Sequence, residues 1–192
     1  MKGHYPLKSK DVLSELARSK GIDSWGQLTQ WIRKLPYGRN KNRSDLALVL
    51  FEEKGSCSSK HALLKKLADL NGIPNVKLIL GIYKMSSLNT PSIGTALTKN
   101  GLNFIPEAHC YLKIDQSRFD YTSPSSSFNR IEMDILQETE IEPDQVAVFK
   151  VNFHKAFLKK WIIETKLGFD FDELWEIREN CIRNLAKQLP AN

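Results

Sequence analysis

Cys57 is the residue of this chain with the clearest potential for covalent chemistry. It stands in the stretch GSCSSKHALLKKLADLNGIP, where small polar residues lead into apolar residues at helical spacing. A cysteine in the first turn of a helix faces unpaired backbone N–H groups and the positive end of the helix dipole, which favour the nucleophilic thiolate. Its own N–H is also available to a developing oxyanion. The alternative is a buried structural cysteine, a common fate of free thiols.

A base for this thiol is offered by a pair of strands predicted over residues 108–114 and 118–122. If a turn with an even number of residues joins them, Tyr111 faces Asp120, and His109 lies on the same face because it is two residues from Tyr111. A turn with an odd number would put Asp120 on the opposite face.

On the favourable register, His109 is the candidate general base and Asp120 the group that orients it. We expect the Asp120 carboxylate to hold Nδ1 of the imidazole, which leaves Nε2 for the Cys57 thiol. A structural role is the alternative for a lone histidine. The order Cys, His, Asp, with the last two on one hairpin, favours the chemical role.

The elements that must position these residues are predicted from periodicity and turn signals. They indicate an α+β domain with mostly antiparallel pairing, spanning residues 1–192, because strands lie between two groups of helices. The predicted helices cover residues 9–35 (capped by Ser9 or Ser24 and broken at Gly21 and Gly26), 45–52, 57–70 (stopped by Asn71-Gly72), a short turn from Thr90-Pro91, 154–166 and 171–189; the other predicted strands are 76–85 and 145–153.

Composition narrows the class of protein. Hydrophobic residues make up 41% of the 192, enough for a core, and 22 acidic residues interleave with 28 basic ones to give a net charge of +6. The first residues lack the apolar core of a secretory signal, and no run of 18 apolar residues occurs. We therefore expect a cytoplasmic protein with no membrane association. Three widely spaced cysteines form neither a disulfide framework nor a CxxC pattern.

Residues 50–125 resemble the transglutaminase-like superfamily of papain-like cysteine enzymes. The resemblance lies in G-x-C running into a helix that ends in Gly-Ile-Pro, a later strand opened by a histidine, and the Asp-x-Thr element Asp120-Tyr121-Thr122. It implies a papain-like fold with a Cys57, His109 and Asp120 triad. Residues 154–190 form a predicted helical extension beyond this motif core.

Two positions depart from the pattern of many members of that superfamily. Ser58 follows the cysteine where an aromatic residue is common, and Tyr111 stands where a tryptophan is common. These smaller side chains imply a bacterial-type or peptidase-like branch. The resemblance implies hydrolysis or acyl transfer at a peptide or carboxamide bond through a thioester, on a peptide, protein or small amide, with no cofactor. A catalytically inactive binding scaffold is the alternative, and the oligomeric state stays open.

A second oxyanion donor is needed upstream of the cysteine in such a site. Asn40, Tyr37 and Trp31 are the candidates, and the amide of Asn40 suits the role best chemically.

Two other kinds of site compete with the triad. Cys57 and His61, four residues apart on one helix, could join His109 and Asp120 around zinc, although such a set lacks tight ligand pairs. The stretch IRKLPYGRNKNR, with Trp31 before it, has the basic and aromatic residues of a nucleic-acid-binding module, or else forms a solvated loop beside the cleft. Cys110 and Cys181, and the aromatic residues Phe169, Phe171 and Trp175, are predicted to pack in the core, the aromatic cluster alternatively forming a lid.

Overall fold

The structure, a computed structural model, describes residues 5–187 and has the predicted α+β class. Within these residues, six α-helices accompany one four-stranded antiparallel sheet. The helices are α1 (Val12–Ser19), α2 (Trp25–Lys34), α3 (Ala47–Phe51), α4 (Cys57–Leu70), α5 (Val148–Thr165) and α6 (Phe171–Ala186); the strands are β1 (Val76–Met85), β2 (Ile105–Ile114), β3 (Ser117–Phe119) and β4 (Ile135–Ile141). The end of the last predicted helix, at Leu189, lies outside the described residues.

Helix α4 begins at Cys57 and ends at Leu70, as its apolar spacing predicts. Asn71 is its C-cap, and Gly72 follows with φ at +63°, a left-handed conformation that costs glycine little. The strand predicted after Pro74 is β1, with the predicted bounds. These two elements carry α4 onto the sheet, where it packs against β1 and β2.

The sheet has the strand order β3-β2-β1-β4. β2 and β3 form a hairpin in which Ile114 pairs with Ser117 and Leu112 with Phe119, so the turn between them has two residues. The predicted even turn is therefore confirmed, and the pairing ends at Leu112 and Phe119, one residue before Asp120.

Helices cover both faces of the sheet. Cys110 and Leu112 of β2 point into a core formed with the first four helices, whereas Ile105 and Tyr111 point into a second core formed with α5 and α6. This alternation follows from the two-residue period of a strand. Cys181 of α6 lies in the second core, so the packing roles predicted for Cys110 and Cys181 are confirmed. Phe169, Phe171 and Trp175 pack partly buried against that second core.

The strand predicted over residues 145–153 is wrong. Residues 143–146 form a 3-10 turn, and α5 begins at Val148. The β-branched and aromatic residues there favour a strand locally, but His154 and Leu158 are buried one turn apart against the second core, which fixes the helix. The fourth strand of the sheet is instead β4, which pairs with β1 and which sequence analysis missed.

Two details of the first helical region also differ from prediction. Asp11 caps α1, whereas Ser24 does cap α2 as predicted. Gly26 lies within the first turn of α2 and does not break it; the interruption is at Gly21, where φ is +75°. Within residues 5–187, no helix is long and apolar enough to span a bilayer.

Candidate active site

Two features fix the start of α4: a serine cap, and the close approach of the Gly55 backbone to the Ser59 and Lys60 side chains. Ser56 is the N-cap: its hydroxyl accepts from the Ser59 N–H at 3.4 Å, while the Ser59 hydroxyl accepts from the Ser56 N–H at 3.0 Å. A Cβ at Gly55 would lie 2.8 Å from the Lys60 side chain and 2.9 Å from the Ser59 hydroxyl. Glycine is thus required directly before the cap, and the capping leaves Cys57 as the first helical residue.

His109 and Asp120 are joined by a hydrogen bond in which Nε2–H donates to Oδ2 at 2.9 Å. Their side chains retain only 13% and 7% of their exposure. The predicted pairing of the two residues therefore exists, but the predicted ring nitrogen was wrong. Because Nε2 is used by the carboxylate, Nδ1 is the nitrogen left for the Cys57 thiol.

The Asp120 carboxylate is oriented by its own chain. Its other oxygen, Oδ1, accepts from the Thr122 N–H at 2.9 Å and from the Thr122 hydroxyl at 2.5 Å. An aspartate that accepts from a backbone two residues ahead turns the chain, so β3 ends at Phe119 and not at Thr122 as predicted. The Asp-x-Thr spacing thus positions the carboxylate.

Two consecutive residues of α4 hold this turn against the helix that carries Cys57. The Lys60 ammonium donates to the carbonyls of Leu35 and Thr122, each at 2.6 Å. His61 accepts the Tyr121 N–H on Nε2 at 2.8 Å and donates from Nδ1 to the Cys57 carbonyl at 2.7 Å. Both side chains are fully buried. His61 therefore positions the chain beside the thiol and has no free ring nitrogen.

Lys150 of α5 is a neighbour of the thiol that sequence analysis missed. Its ammonium donates to the Ser58 hydroxyl at 2.5 Å and lies 3.7 Å from Cys57 Sγ. The prediction of a strand over this segment gave no reason to place Lys150 near Cys57. A helical period would have indicated that Lys150, His154 and Leu158 share one face.

The charges around Cys57 favour a thiolate facing an imidazolium. Burial raises the pKa of the Cys57 thiol, but Lys150 and then His109 outweigh that effect and lower it to about 6. For His109, burial lowers the pKa, whereas Asp120 and Cys57 together raise it well above its ordinary value. Burial raises the pKa of Asp120, but the positive charge of His109 and its hydrogen bond outweigh this and lower the pKa, so the carboxyl stays ionised. These directions describe an ion pair between Cys57 and His109 near neutral pH.

The pKa of buried His61 is shifted in the direction opposite to that of His109. Burial lowers the pKa of His61 to about 4, so the ring is neutral at pH 7 and can both donate and accept. Burial also lowers the pKa of Lys60, to about 8.

Two cavities meet at Cys57. The first, which we call the basic cavity, has a volume of about 210 Å³; the second, the serine-loop cavity, has about 280 Å³. Tyr37, Cys57, Glu107 and Ile182 line both, so the thiol lies where they join. His109 and Asp120 line only the serine-loop cavity, with residues 123–127. This arrangement leaves space for a ligand on both sides of the sulfur.

The three predicted oxyanion donors lie in different environments. The Asn40 amide donates to the Leu48 and Lys54 carbonyls and to the Glu52 carboxylate. Because its N–H groups are used in these contacts, the prediction of Asn40 as an oxyanion donor is wrong. Trp31 packs against the first core and lines neither cavity.

Tyr37 is the predicted donor that lines both cavities together with Cys57. Its segment pairs with Gly55 through the Gly38 N–H and the Gly55 N–H, both at 3.2 Å, which places it beside the residue that precedes the helix cap. Within residues 5–187, neither the Tyr37 hydroxyl nor the Cys57 N–H makes a hydrogen bond. Both are therefore available to an oxyanion.

The competing sites find less support in the geometry. No group of three or more His, Cys, Asp or Glu side chains in the described part of the chain is arranged to hold a metal ion. In the basic segment, Arg33 donates to the carbonyls of Ser123, Pro124 and Ser126, and Arg39 pairs with Glu179 at 2.9 Å. Two of its five cations are thus bound within the fold.

Comparison with known proteins adds no relative. No protein-family model, curated protein or solved structure matches this chain.

Proposed function

We propose that this protein is a thiol-dependent hydrolase or acyltransferase that acts on a peptide or carboxamide bond. The observation that carries the proposal is the hydrogen bond from His109 Nε2 to Asp120 Oδ2 at 2.9 Å, in a cavity that Cys57 also lines. Lys150 and then His109 lower the pKa of the Cys57 thiol. A nucleophile, a base and an orienting carboxylate in this order are what nucleophilic catalysis requires. Two cavities that meet at the sulfur supply space for the two parts of an amide.

The first half of the reaction forms a thioester. The Cys57 thiolate attacks the amide carbonyl carbon, and the carbonyl electrons move onto its oxygen. The Cys57 N–H and the Tyr37 hydroxyl are the donors placed to stabilise that oxyanion. The carbon–nitrogen bond then breaks while His109 gives its proton to the departing amine, which leaves the acyl group on sulfur.

The second half regenerates the thiolate. Water or an amine enters, and neutral His109 takes a proton from it as its oxygen or nitrogen attacks the thioester carbonyl. The carbon–sulfur bond breaks, the acid or new amide departs, and Cys57 and His109 return to the ion pair. Asp120 keeps the imidazole oriented through both halves and stabilises its charged form.

The same features support membership of the transglutaminase-like superfamily with a papain-like fold. The cysteine begins a helix that packs on an antiparallel sheet, the histidine lies on β2, and the aspartate follows β3. The chain order Cys57, His109, Asp120 is the one that the resemblance implies, although His109 is the fifth residue of β2 and does not open the strand.

Acylation of the thiol tests this function without a known substrate. The protein is mixed with p-nitrophenyl acetate, and the acylated residue is located by peptide mass spectrometry, with Cys110 and Cys181 as internal controls. We expect one acetyl group on Cys57, released by water or transferred to added hydroxylamine, and a loss of at least a hundredfold in acylation rate in His109→Ala. Cleavage of a set of peptide 4-nitroanilides then tests amide chemistry.

A different result would favour a different function. An unacylated Cys57, with acetyl groups scattered over lysines, would contradict the enzyme and favour a binding scaffold. Binding of single-stranded nucleic acid that weakens steeply with salt would favour the nucleic-acid module.

A further inference from the structure

The basic cavity has a marked excess of positive charge. Five of its lining side chains are cationic and two are carboxylates: Arg39, Arg43, Lys150, Lys155 and Arg178 against Glu107 and Glu179. The cavity therefore carries three more positive than negative charges, or two when Cys57 is a thiolate. An enclosed space lined by one sign of charge attracts ligands of the opposite sign.

The two carboxylates are already paired with two of the arginines. Arg178 donates from Nε to Glu107 at 2.7 Å and from Nη1 to Glu179 at 2.6 Å, and Arg39 also pairs with Glu179. The pair of Glu107 and Arg178 is buried, which fixes one wall of the cavity.

The remaining three cations have no such partner. Within residues 5–187, neither Arg43, Lys150 nor Lys155 has a carboxylate within 4.0 Å. The Lys155 ammonium lies 5.2 Å from the centre of the Trp175 ring, which also lines the cavity. Lys150 faces the thiol, so Arg43 and Lys155 are the cations left for a ligand farther from the sulfur.

The location of His109 assigns the two cavities to the two parts of a substrate. The departing amine must lie within reach of the imidazole that protonates it, and His109 lines the serine-loop cavity but not the basic cavity. The acyl part, which stays on sulfur, is then directed into the basic cavity at the start of α4.

We propose that the basic cavity binds a carboxylate on the acyl part of the substrate, so that the protein acts on amides whose acyl group is acidic. This inference rests on the proposed function. Arg43 and Lys155 are the residues that would recognise the carboxylate. A carboxylate is the anion that an unmodified peptide acyl group carries, and a doubly charged phosphate is the alternative that the binding experiment tests.

Ligand binding tests the proposal independently of the reactivity of the thiol. In Cys57→Ser, affinities are measured by calorimetry for N-acetyl-aspartate amide and for its neutral isostere N-acetyl-asparagine amide. We expect the acid to bind about tenfold more tightly, and added Arg43→Gln and Lys155→Gln to abolish that preference.

Two matched double variants remove the same charge elsewhere. Lys66→Gln with Lys99→Gln, outside both cavities, is expected to keep the preference. Lys34→Gln with Arg130→Gln removes two positive charges from the serine-loop cavity instead. If Lys34→Gln with Arg130→Gln loses the preference, the carboxylate binds in the serine-loop cavity, on the amine side of the substrate, and the proposal is overturned. Equal affinity of Cys57→Ser for the two ligands would also overturn it, and so would tighter binding of N-acetyl-phosphoserine amide.

Labelling of the active protein separates this proposal from the proposed function. The rate at which Cys57 reacts with acetyl-aspartyl chloromethyl ketone is expected to exceed that of its methyl ester about tenfold, and to fall to the ester's rate in Arg43→Gln with Lys155→Gln. Equal rates in the unmodified protein would overturn the carboxylate site. If Cys57 instead reacts with iodoacetamide as an ordinary thiol while the acid preference persists in Cys57→Ser, the enzyme proposal fails and the carboxylate site stands.

Discussion

The Lys150 ammonium lies 3.7 Å from Cys57 Sγ and is held there by the Ser58 hydroxyl at 2.5 Å. The thiol therefore has two cationic neighbours on different elements, Lys150 on α5 and His109 on β2. Lys150 stabilises the thiolate, whereas in the proposed mechanism His109 also protonates the departing amine. Helix α5 thus contributes directly to the electrostatics of the candidate site.

Removal of the Lys150 charge should make the thiol harder to ionise. In Lys150→Gln, the pH at which Cys57 reacts with iodoacetamide at half its maximal rate should rise by about one unit, because an opposite charge is lost at close range. Lys150→Arg should retain most of the shift. Lys160→Gln, on the exposed side of α5, provides the control. An unchanged midpoint in Lys150→Gln would mean that the ammonium does not act on the thiol.

The negative charge of Asp120, more than its shape, should determine the rate of Cys57 acylation and the pKa of His109. Asp120→Asn keeps a hydrogen-bonding group beside Nε2 but removes the charge that raises the pKa of His109. We expect Cys57 acylation by p-nitrophenyl acetate to slow by about a hundredfold or more, with a lower pKa of His109 in NMR titration. A variant with wild-type acylation and an unshifted imidazole would remove Asp120 from the triad.

His61 should make the fold sensitive to acid. Burial lowers the pKa of His61 in the folded protein to about 4, whereas an unfolded histidine titrates near pH 6.5. Between those values the unfolded chain binds a proton that the folded chain does not, so the free energy of unfolding should fall as the pH decreases from 6.5 to 4, by up to about 3 kcal/mol.

Urea unfolding at several pH values measures this contribution. His61→Gln retains a donor and an acceptor but cannot titrate, and we expect it to lose that part of the pH dependence. The same slope in wild type and variant over this range would contradict a buried neutral imidazole at residue 61.

Gly81 should tolerate no side chain because Tyr111 lies on it. A Cβ at Gly81 would be 2.9 Å from both Cε1 and the hydroxyl of Tyr111, which is fully buried and donates to Glu138. Gly81→Ala is expected to lower the free energy of unfolding by about 1–3 kcal/mol. Gly26→Ala, in α2 with open space at the Cβ, should instead raise it by about 0.5–1 kcal/mol. Equal effects in urea unfolding would show that Tyr111 can move away.

Local signals predicted the elements that carry Cys57, His109 and Asp120. The apolar period and the Asn71-Gly72 stop bounded α4, and the two-residue turn placed His109 and Asp120 on one face. These features depend on neighbours a few residues apart, which a sequence reveals directly.

Features fixed by distant contacts were missed or wrongly predicted. Residues 148–153 have strand-forming side chains, yet packing of His154 and Leu158 makes them helical, and the role of Lys150 follows from that helix. The contacts of Lys60 and His61 with residues 121–122 join positions about 60 apart in sequence. The ring nitrogen that meets Asp120 depends on side-chain rotation, which the register of a hairpin does not fix.

The pH dependence of Cys57 alkylation tests the central claim most directly. Iodoacetamide labelling is followed by peptide mass spectrometry in the unmodified protein and in His109→Ala, with buried Cys110 and Cys181 as internal references. Because the pKa of Cys57 is lowered to about 6, its rate should be half-maximal near pH 6, and His109→Ala should move that midpoint upward. A midpoint near that of an ordinary thiol, about pH 8.5, and unaffected by His109→Ala, would contradict a thiolate paired with imidazolium.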